Sequence, residues 1–368
     1  MAINRVEIKD FLVFKGEFAT GFCAGVNVII GGNATGKTTL LKAMYRLCGN
    51  GKNSDTGQFF FTNRVPFSPF NRPFEYLRLE TLTGDTGTRI CVRNAYCDGP
   101  TPDNSVFING TFVGYNPNEY IEEYTNSKPS NYSRMSTDLV FVSENYKALP
   151  SVFIPSTNLL PHSRGLVEMI DAYEMDFDIT QVEILRNARR PVTKSPKLNC
   201  GKVIDGLTKT IGGEVVYDEG SFYLEKTNGE KVEFALEASG FTRLGLLWKL
   251  LRNGLLESGT ILFWDEPENS LNPDLVPILV DVLLELSRNG VQIFLATHSE
   301  ILASYFSVNR EKGDVVMFYS LYKEGEHIKA DKSDRFDLLV PNNLTLEPVR
   351  LYERKLERGS GGNGQSNN

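Results

Sequence analysis

Lys37, Thr38 and Thr39 follow Gly31-Gly32-Asn33-Ala34-Thr35-Gly36, and Gly31 is separated by four residues from Gly36-Lys37-Thr38. That spacing suits a phosphate chain, because consecutive backbone N–H groups can wrap the anion while the glycines accept dihedrals and close approaches that a Cβ forbids. Lys37 would then reach the β- and γ-phosphates, and the Thr38 hydroxyl would face Mg²⁺. A helix starting near Lys37 adds the positive end of its dipole to the same place. The plainer alternative is a glycine turn that happens to precede a helix.

A second group with chemical potential is Asp265-Glu266-Pro267-Glu268, which ends the apolar run Thr260-Ile261-Leu262-Phe263-Trp264. Asp265 can enter a Mg²⁺ shell directly or through water, and Glu266 can orient and deprotonate an attacking water. A structural ion pair is the other account of Glu266. His298 follows the next apolar run, Val291 to Ala296, and is either a γ-phosphate sensor or a satisfied core histidine. Ser239-Gly240 opens a leucine-rich segment, where it can present N–H groups to an anion or simply cap a helix.

These residues need elements to hold them. Val26, Val28, Ile29 and Ile30 read as a buried strand before the glycine loop, and Leu40, Leu41, Met44 and Leu47 recur at helical spacing after it. The runs 260–264 and 291–296 are continuous and apolar, as parallel strands covered on both faces are. Their carboxyl ends form the edge where open α/β sheets bind ligands. Asn272 and Pro273 open a helix that Gly290 closes, and Gly254 ends the helix containing Leu244 to Leu251.

Val6, Ile8, Phe11 and Phe14 alternate along an opening strand, with a Phe either in the core or stacked on a base. Residues 49–150 predict a mainly β insertion with strands at 76–82, 88–92 and 139–142 and an Asn109-Gly110 hairpin. Residues 152–155 form a further strand. Two short helices follow within 164–190, neither long enough for a coiled-coil arm. Arg186, Arg189, Arg190, Lys194, Lys197 and Lys202 form either a solvated face or a phosphate patch. Residues 214–234 read as a β-meander, 314–330 as a hairpin, 346–358 as a terminal helix, and 359–368 as a disordered tail.

The chain has 368 residues, 41% apolar, with 46 acidic and 39 basic side chains and a net charge of −7. An acidic balance means that any nucleic-acid contact is local or made through a partner. Five unpaired-looking cysteines fit reduced thiols, and no apolar run spans a membrane, so a cytoplasmic protein is expected.

In order and spacing, the chain resembles ABC-class ATPases of the RecF, chromosome-maintenance and OLD type, loosely grouped with AAA ATPases. Gly31 to Thr39 match Walker A, Ile261 to Glu266 match Walker B with its glutamate, and His298 matches the switch histidine. Ser239 and Gly240 match part of the signature sequence, while Asn272 stands where the D-loop aspartate usually lies. The resemblance implies an α/β fold with a mixed sheet flanked by helices, a β-rich N-terminal part and an inserted lid. It divides the single ATPase domain, 1–358, into a nucleotide core at 1–50 and 236–345 and an insertion at 51–235.

It further implies ATP and Mg²⁺ as cofactors and a homodimer or higher oligomer. In that assembly, Ser239 and Gly240 of one copy meet the γ-phosphate held by Gly31, Asn33, Ala34, Thr35, Gly36, Lys37, Thr38 and Thr39 of the other. Asp331, Asp334 and Asp337, among the seventy residues after His298, lack a surrounding βα pattern, so no nuclease of its own is expected. The function implied is an ATP-hydrolysing switch acting on a separately encoded effector, such as a nuclease, in antiviral defence or DNA maintenance, with DNA a compatible partner. The competing class is a slow ATP-dependent scaffold or clamp. A GTPase is disfavoured, since no Asn-Lys-x-Asp motif is present.

Overall fold

The computed structural model describes residues 2–48, the segments 76–82, 88–94, 107–108, 111–112 and 138–142, and residues 149–173, 177–193 and 200–360. Its centre is a six-stranded sheet. Strand β3 (Val26–Gly31) lies between β14 (Gln292–Ala296) and β15 (Val316–Glu324), and β13 (Ile261–Asp265) separates β14 from β9 (Ser151–Ile154). These five are parallel, and β16 (His327–Ser333) closes one edge antiparallel to β15. Every residue of β3, β13 and β14 is buried. That is the burial their unbroken apolar sequences anticipate.

Side chains alternate between two cores. One face carries Ile29, Phe153, Phe263, Phe294 and Tyr319 against helix α1 (Lys37–Leu47), which lies between this sheet and a second one. That second sheet is antiparallel, ordered β2 (Phe14–Gly21), β1 (Ala2–Phe11), β4 (Tyr76–Leu82), β5 (Thr88–Asn94), β8 (Asp138–Val142). The ring of Tyr45 on α1 sits 5.4 Å from Phe153 and 5.9 Å from Phe263. Gln292 joins the two sheets: its amide donates to Ile3 O at 2.7 Å and accepts from Ile3 N at 2.7 Å.

The opposite face, with Val28, Ile30, Leu262, Trp264, Ile293 and Leu295, is covered by helices. These are α2 (Leu166–Ala172), α3 (Ile179–Ala188), α4 (Gly201–Ile211), α5 (Ser239–Arg252), α6 (Val276–Arg288) and α7 (Glu300–Asn309). The meander β10 (Gly213–Asp218), β11 (Ser221–Lys226), β12 (Lys231–Glu233) leads into α5. Helix α5 is buried nearly all round, and Gly245 admits Phe234, whose ring a Cβ would meet at 2.8 Å. The short pair β6 (Phe107–Ile108) and β7 (Thr111–Phe112) matches the expected hairpin, whose Asn109-Gly110 turn lies outside the described residues.

The structure bears out some expectations in altered detail and corrects others. The opening strand is two strands, turned at Leu12 with φ +52°, and Phe14 is fully buried in the core. Helix α4 has no counterpart in the sequence reading. The expected hairpin at 314–330 is real, but its first strand extends the central sheet beside β3. Asn272 caps a short 3₁₀ turn, Pro273–Leu275, which runs on into α6. The terminal helix α8 (Asn343–Ser360) takes in Gly359 and Ser360, and 361–368 lie outside the described residues. Arg186 pairs with Asp171 at 2.6 Å and Arg189 with Glu168 at 2.5 Å, so both arginines already have acidic partners. Lys194 and Lys197 lie outside the described residues.

Candidate nucleotide site

Strands β3, β13 and β14 run parallel, so the residues after each of them gather at one edge. Gly31 ends β3, and Lys37, Thr38 and Thr39 open α1. Between them Asn33 and Ala34 are exposed, Ala34 with φ +59°, while the Thr35 hydroxyl donates to Gly32 O at 2.9 Å. At Gly31 a Cβ would lie 2.4 Å from Leu321 O, and at Gly36, with φ +89°, 2.7 Å from Val13 and 2.9 Å from Phe14. The loop therefore tolerates no side chain at either glycine. We expect Gly36→Ala to cost roughly 2–5 kcal/mol, combining the positive φ with overpacking, read as a lower urea midpoint.

Lys37 is 7% exposed, and its ammonium donates to Gly31 O at 2.9 Å and Gly32 O at 3.0 Å. Burial lowers its pKa, against the opposing pull of Asp265, Glu266 and Glu268. The Thr38 hydroxyl donates to Asp265 Oδ2 at 2.9 Å. Burial pushes the Asp265 carboxyl up, opposed by the Thr38 hydrogen bond and by Lys42 and Lys37. A buried carboxylate beside a hydroxyl is a hard-oxygen donor pair suited to Mg²⁺. These residues fit that ion.

Glu266 follows β13 with φ +48°, a left-handed conformation uncommon for a residue with a side chain. Its N–H donates to Ala296 O at 2.8 Å, and its carbonyl accepts from Arg243 Nη1 at 3.3 Å. His298 follows β14, with Nε2 3.8 Å from Glu266 Oε1 and both side chains more than a third exposed. Burial, then Lys37, lowers the His298 pKa, while Glu266 and Glu268 oppose the shift. His298 is thus neither a core histidine nor tightly paired.

Ser239 and Gly240 are not part of this cluster in the same subunit. They begin α5 and pack on the loop after β13: the Ser239 hydroxyl donates to Ser270 O at 3.2 Å, and Gly240 faces Leu271 and Leu275. The N-cap is Ala238, so Ser239 does not cap its helix.

Sequence reasoning missed Arg243 and Glu268. Arg243 is 3% exposed, bonds the carbonyls of Glu266 and Ser156, and has its pKa lowered by burial. Glu268 Oε1 accepts from the Thr297 hydroxyl at 2.7 Å and from His298 N at 2.9 Å. The available signals were an arginine placed before the leucine-rich stretch Leu244 to Leu251 and a second glutamate directly after Glu266-Pro267.

A parallel sheet with a glycine loop after one strand, an Asp-Glu pair after another and a histidine after the strand between them is the α/β arrangement of P-loop ATPases. Residues 107–304, more than half of the chain, match the family described as "AAA domain, putative AbiEii toxin, Type IV TA system", and the chain belongs to that family. The matched span holds Ser239, Gly240, Asp265, Glu266 and His298. A solved SMC head bound to the C-winged helix domain of ScpA has a TM-score of 0.50 at 15% identity, covering 90% of this chain and 98% of its own. The SMC head domain from Thermotoga maritima has a TM-score of 0.47 at 14% identity, covering 90% and 99%. No curated protein matches the chain. No helix among the described residues is long and apolar enough to cross a membrane.

Proposed function

We propose that this chain is an ATP-binding and ATP-hydrolysing switch, which closes around nucleotide as a dimer and thereby controls a partner protein. The observation that carries this reading is the meeting of Lys37, Thr38, Asp265, Glu266 and His298, drawn from three separate strand ends, at one edge of the sheet. Gly31, Asn33, Ala34, Thr35, Gly36 and Thr39 complete the phosphate cradle around Lys37. Thr38 and Asp265 would hold Mg²⁺, which when bound supplies charge neutralisation at the phosphates. Glu266 accepts the proton of the attacking water, and His298 hydrogen-bonds the γ-phosphate.

Dimerisation rests on Ser239 and Gly240. The first N–H groups of any helix lack intrahelical acceptors, and those of α5 lie at the exposed Ser239, with Leu236 beside them 79% exposed. A phosphate presented by a second copy suits that end. ATP with Mg²⁺ is expected to double the mass measured by light scattering. Ser239→Arg, which fills the helix end, leaves ATP affinity unchanged and keeps the chain monomeric; an ATP-driven dimer of this variant would overturn the arrangement.

The family description names a toxin of a type IV TA system, and the SMC head neighbour is bound to a domain of ScpA. Both support a switch working with a protein partner, in bacterial defence or DNA maintenance. The effector is separately encoded in this reading, and DNA would reach the assembly through it.

A further inference from the structure

Glu268 gathers more of the switch than its place in sequence suggests. One oxygen, Oε1, accepts both the Thr297 hydroxyl at 2.7 Å and the His298 N–H at 2.9 Å. Thr297 is fully buried, and its own oxygen accepts from Ser299 N at 2.9 Å. Its single proton is therefore committed to Glu268. Ser299 Oγ then accepts from Leu302 N at 3.1 Å and caps α7, while Thr297 N donates to Ile29 O at 3.0 Å in the strand that leads to the phosphate loop. One carboxylate oxygen thus fixes the backbone from the end of β14 to the first turn of α7, and His298 lies inside that span.

The clamp is not an ion pair. No cation among the described residues forms a salt bridge with Glu268: Lys37 bonds the carbonyls of Gly31 and Gly32, and Arg243 those of Glu266 and Ser156. Oε2 is enclosed without a hydrogen-bond partner, so the two donors on Oε1 are the whole of its bonding. The His298 ring remains 3.8 Å from Glu266, beyond direct hydrogen-bond reach, with its side chain 38% exposed. Only its backbone is held, and by Glu268.

We infer that Glu268 is a positioning residue for hydrolysis: it holds His298 at the spacing from Glu266 that the γ-phosphate and attacking water require. This rests on the ATPase reading proposed above. The two hydrogen bonds need an acceptor oxygen, which glutamine supplies and alanine does not.

The test compares Glu268→Ala and Glu268→Gln in the full chain by steady-state ATP hydrolysis, ATP binding, and hydrogen exchange of a peptide covering 297–302. Alanine is expected to lower kcat roughly 10- to 100-fold with ATP affinity within about twofold, as displacement of an aligned group does. It should also speed exchange in 297–302, and both effects should be reversed in the glutamine variant. Glu268→Ala combined with His298→Ala should be no slower than His298→Ala alone, since the first acts through the second. Wild-type exchange in the alanine variant, or fully additive kcat losses in the double variant, would overturn the proposal. A wild-type chain that binds but never hydrolyses ATP would defeat the ATPase reading, while the exchange comparison would still decide whether Glu268 holds the switch.

Discussion

Lys37→Ala is expected to lower ATP affinity by roughly 10²- to 10⁴-fold while the chain stays folded. The ammonium is buried and donates to Gly31 O and Gly32 O at 2.9 and 3.0 Å. Phosphate oxygens entering the cradle take over those donors as charged acceptors, and each such hydrogen bond contributes about 1.5–3 kcal/mol. Two of them give roughly 3–6 kcal/mol, which is the stated range in affinity. Alanine also removes one of the positive charges that act on Asp265, Glu266 and Glu268, so anion repulsion adds to the loss. The fold suffers less, because both hydrogen bonds lie within the strand–loop–helix unit that carries Lys37 and tie it to no distant part of the chain. Calorimetric titration with ATP and Mg²⁺, alongside a circular-dichroism melt, separates the two effects. Unchanged affinity would remove the phosphate-loop assignment.

How much of this could be read from the residues varied with the physics of each element. The loop, α1, β13 and β14 were legible because glycine spacing, helical periodicity and two-sided burial each leave a local mark. Helix α4 was not, since Gly201 and Gly206 together with Val203, Ile204, Thr208, Thr210 and Ile211 oppose helix by propensity. Tertiary contact overrides that preference: Leu207 is fully buried, and Trp248 Nε1 donates to Thr208 Oγ1 at 2.7 Å. The place of β15 beside β3 was invisible because a hairpin pattern specifies its own partner and not the strand on its other edge.

The candidate site divides the same way. Lys37, Thr38, Asp265, Glu266 and His298 belong to spaced patterns, and the structure brings them together. Arg243 and Glu268 act on backbone groups of residues distant in sequence, and nothing local announces such bonds. Ser239 was open between capping and anion binding, and the structure removes capping, since its hydroxyl goes to Ser270 O. The left-handed backbone at Glu266 could not be anticipated either; the bonds at Ala296 and Arg243 hold it.

That clamped backbone makes Glu266→Gln the sharpest separation of binding from chemistry. The side chain is the only part of Glu266 free to change: its N–H is bound to Ala296 O and its carbonyl to Arg243, so an isosteric amide takes the same position. Lys37, Thr38 and Asp265 are untouched, and ATP affinity should remain within a few-fold of wild type. The amide cannot accept the water proton, and loss of a positioned general base slows hydrolysis by roughly 10²- to 10⁴-fold. A dimer closed by ATP and opened by hydrolysis would then accumulate, visible as a stable doubled mass with Mg²⁺ and ATP where the wild type reverts to monomer. Phosphate release measured on the same samples completes the comparison. Turnover at the wild-type rate would show that another group activates the water. Wild-type turnover already far below the roughly 1 per second of slow enzymes, with an equally stable dimer, would instead assign the chain to the clamp class, in which nucleotide holds an assembly together and its cleavage sets only the lifetime.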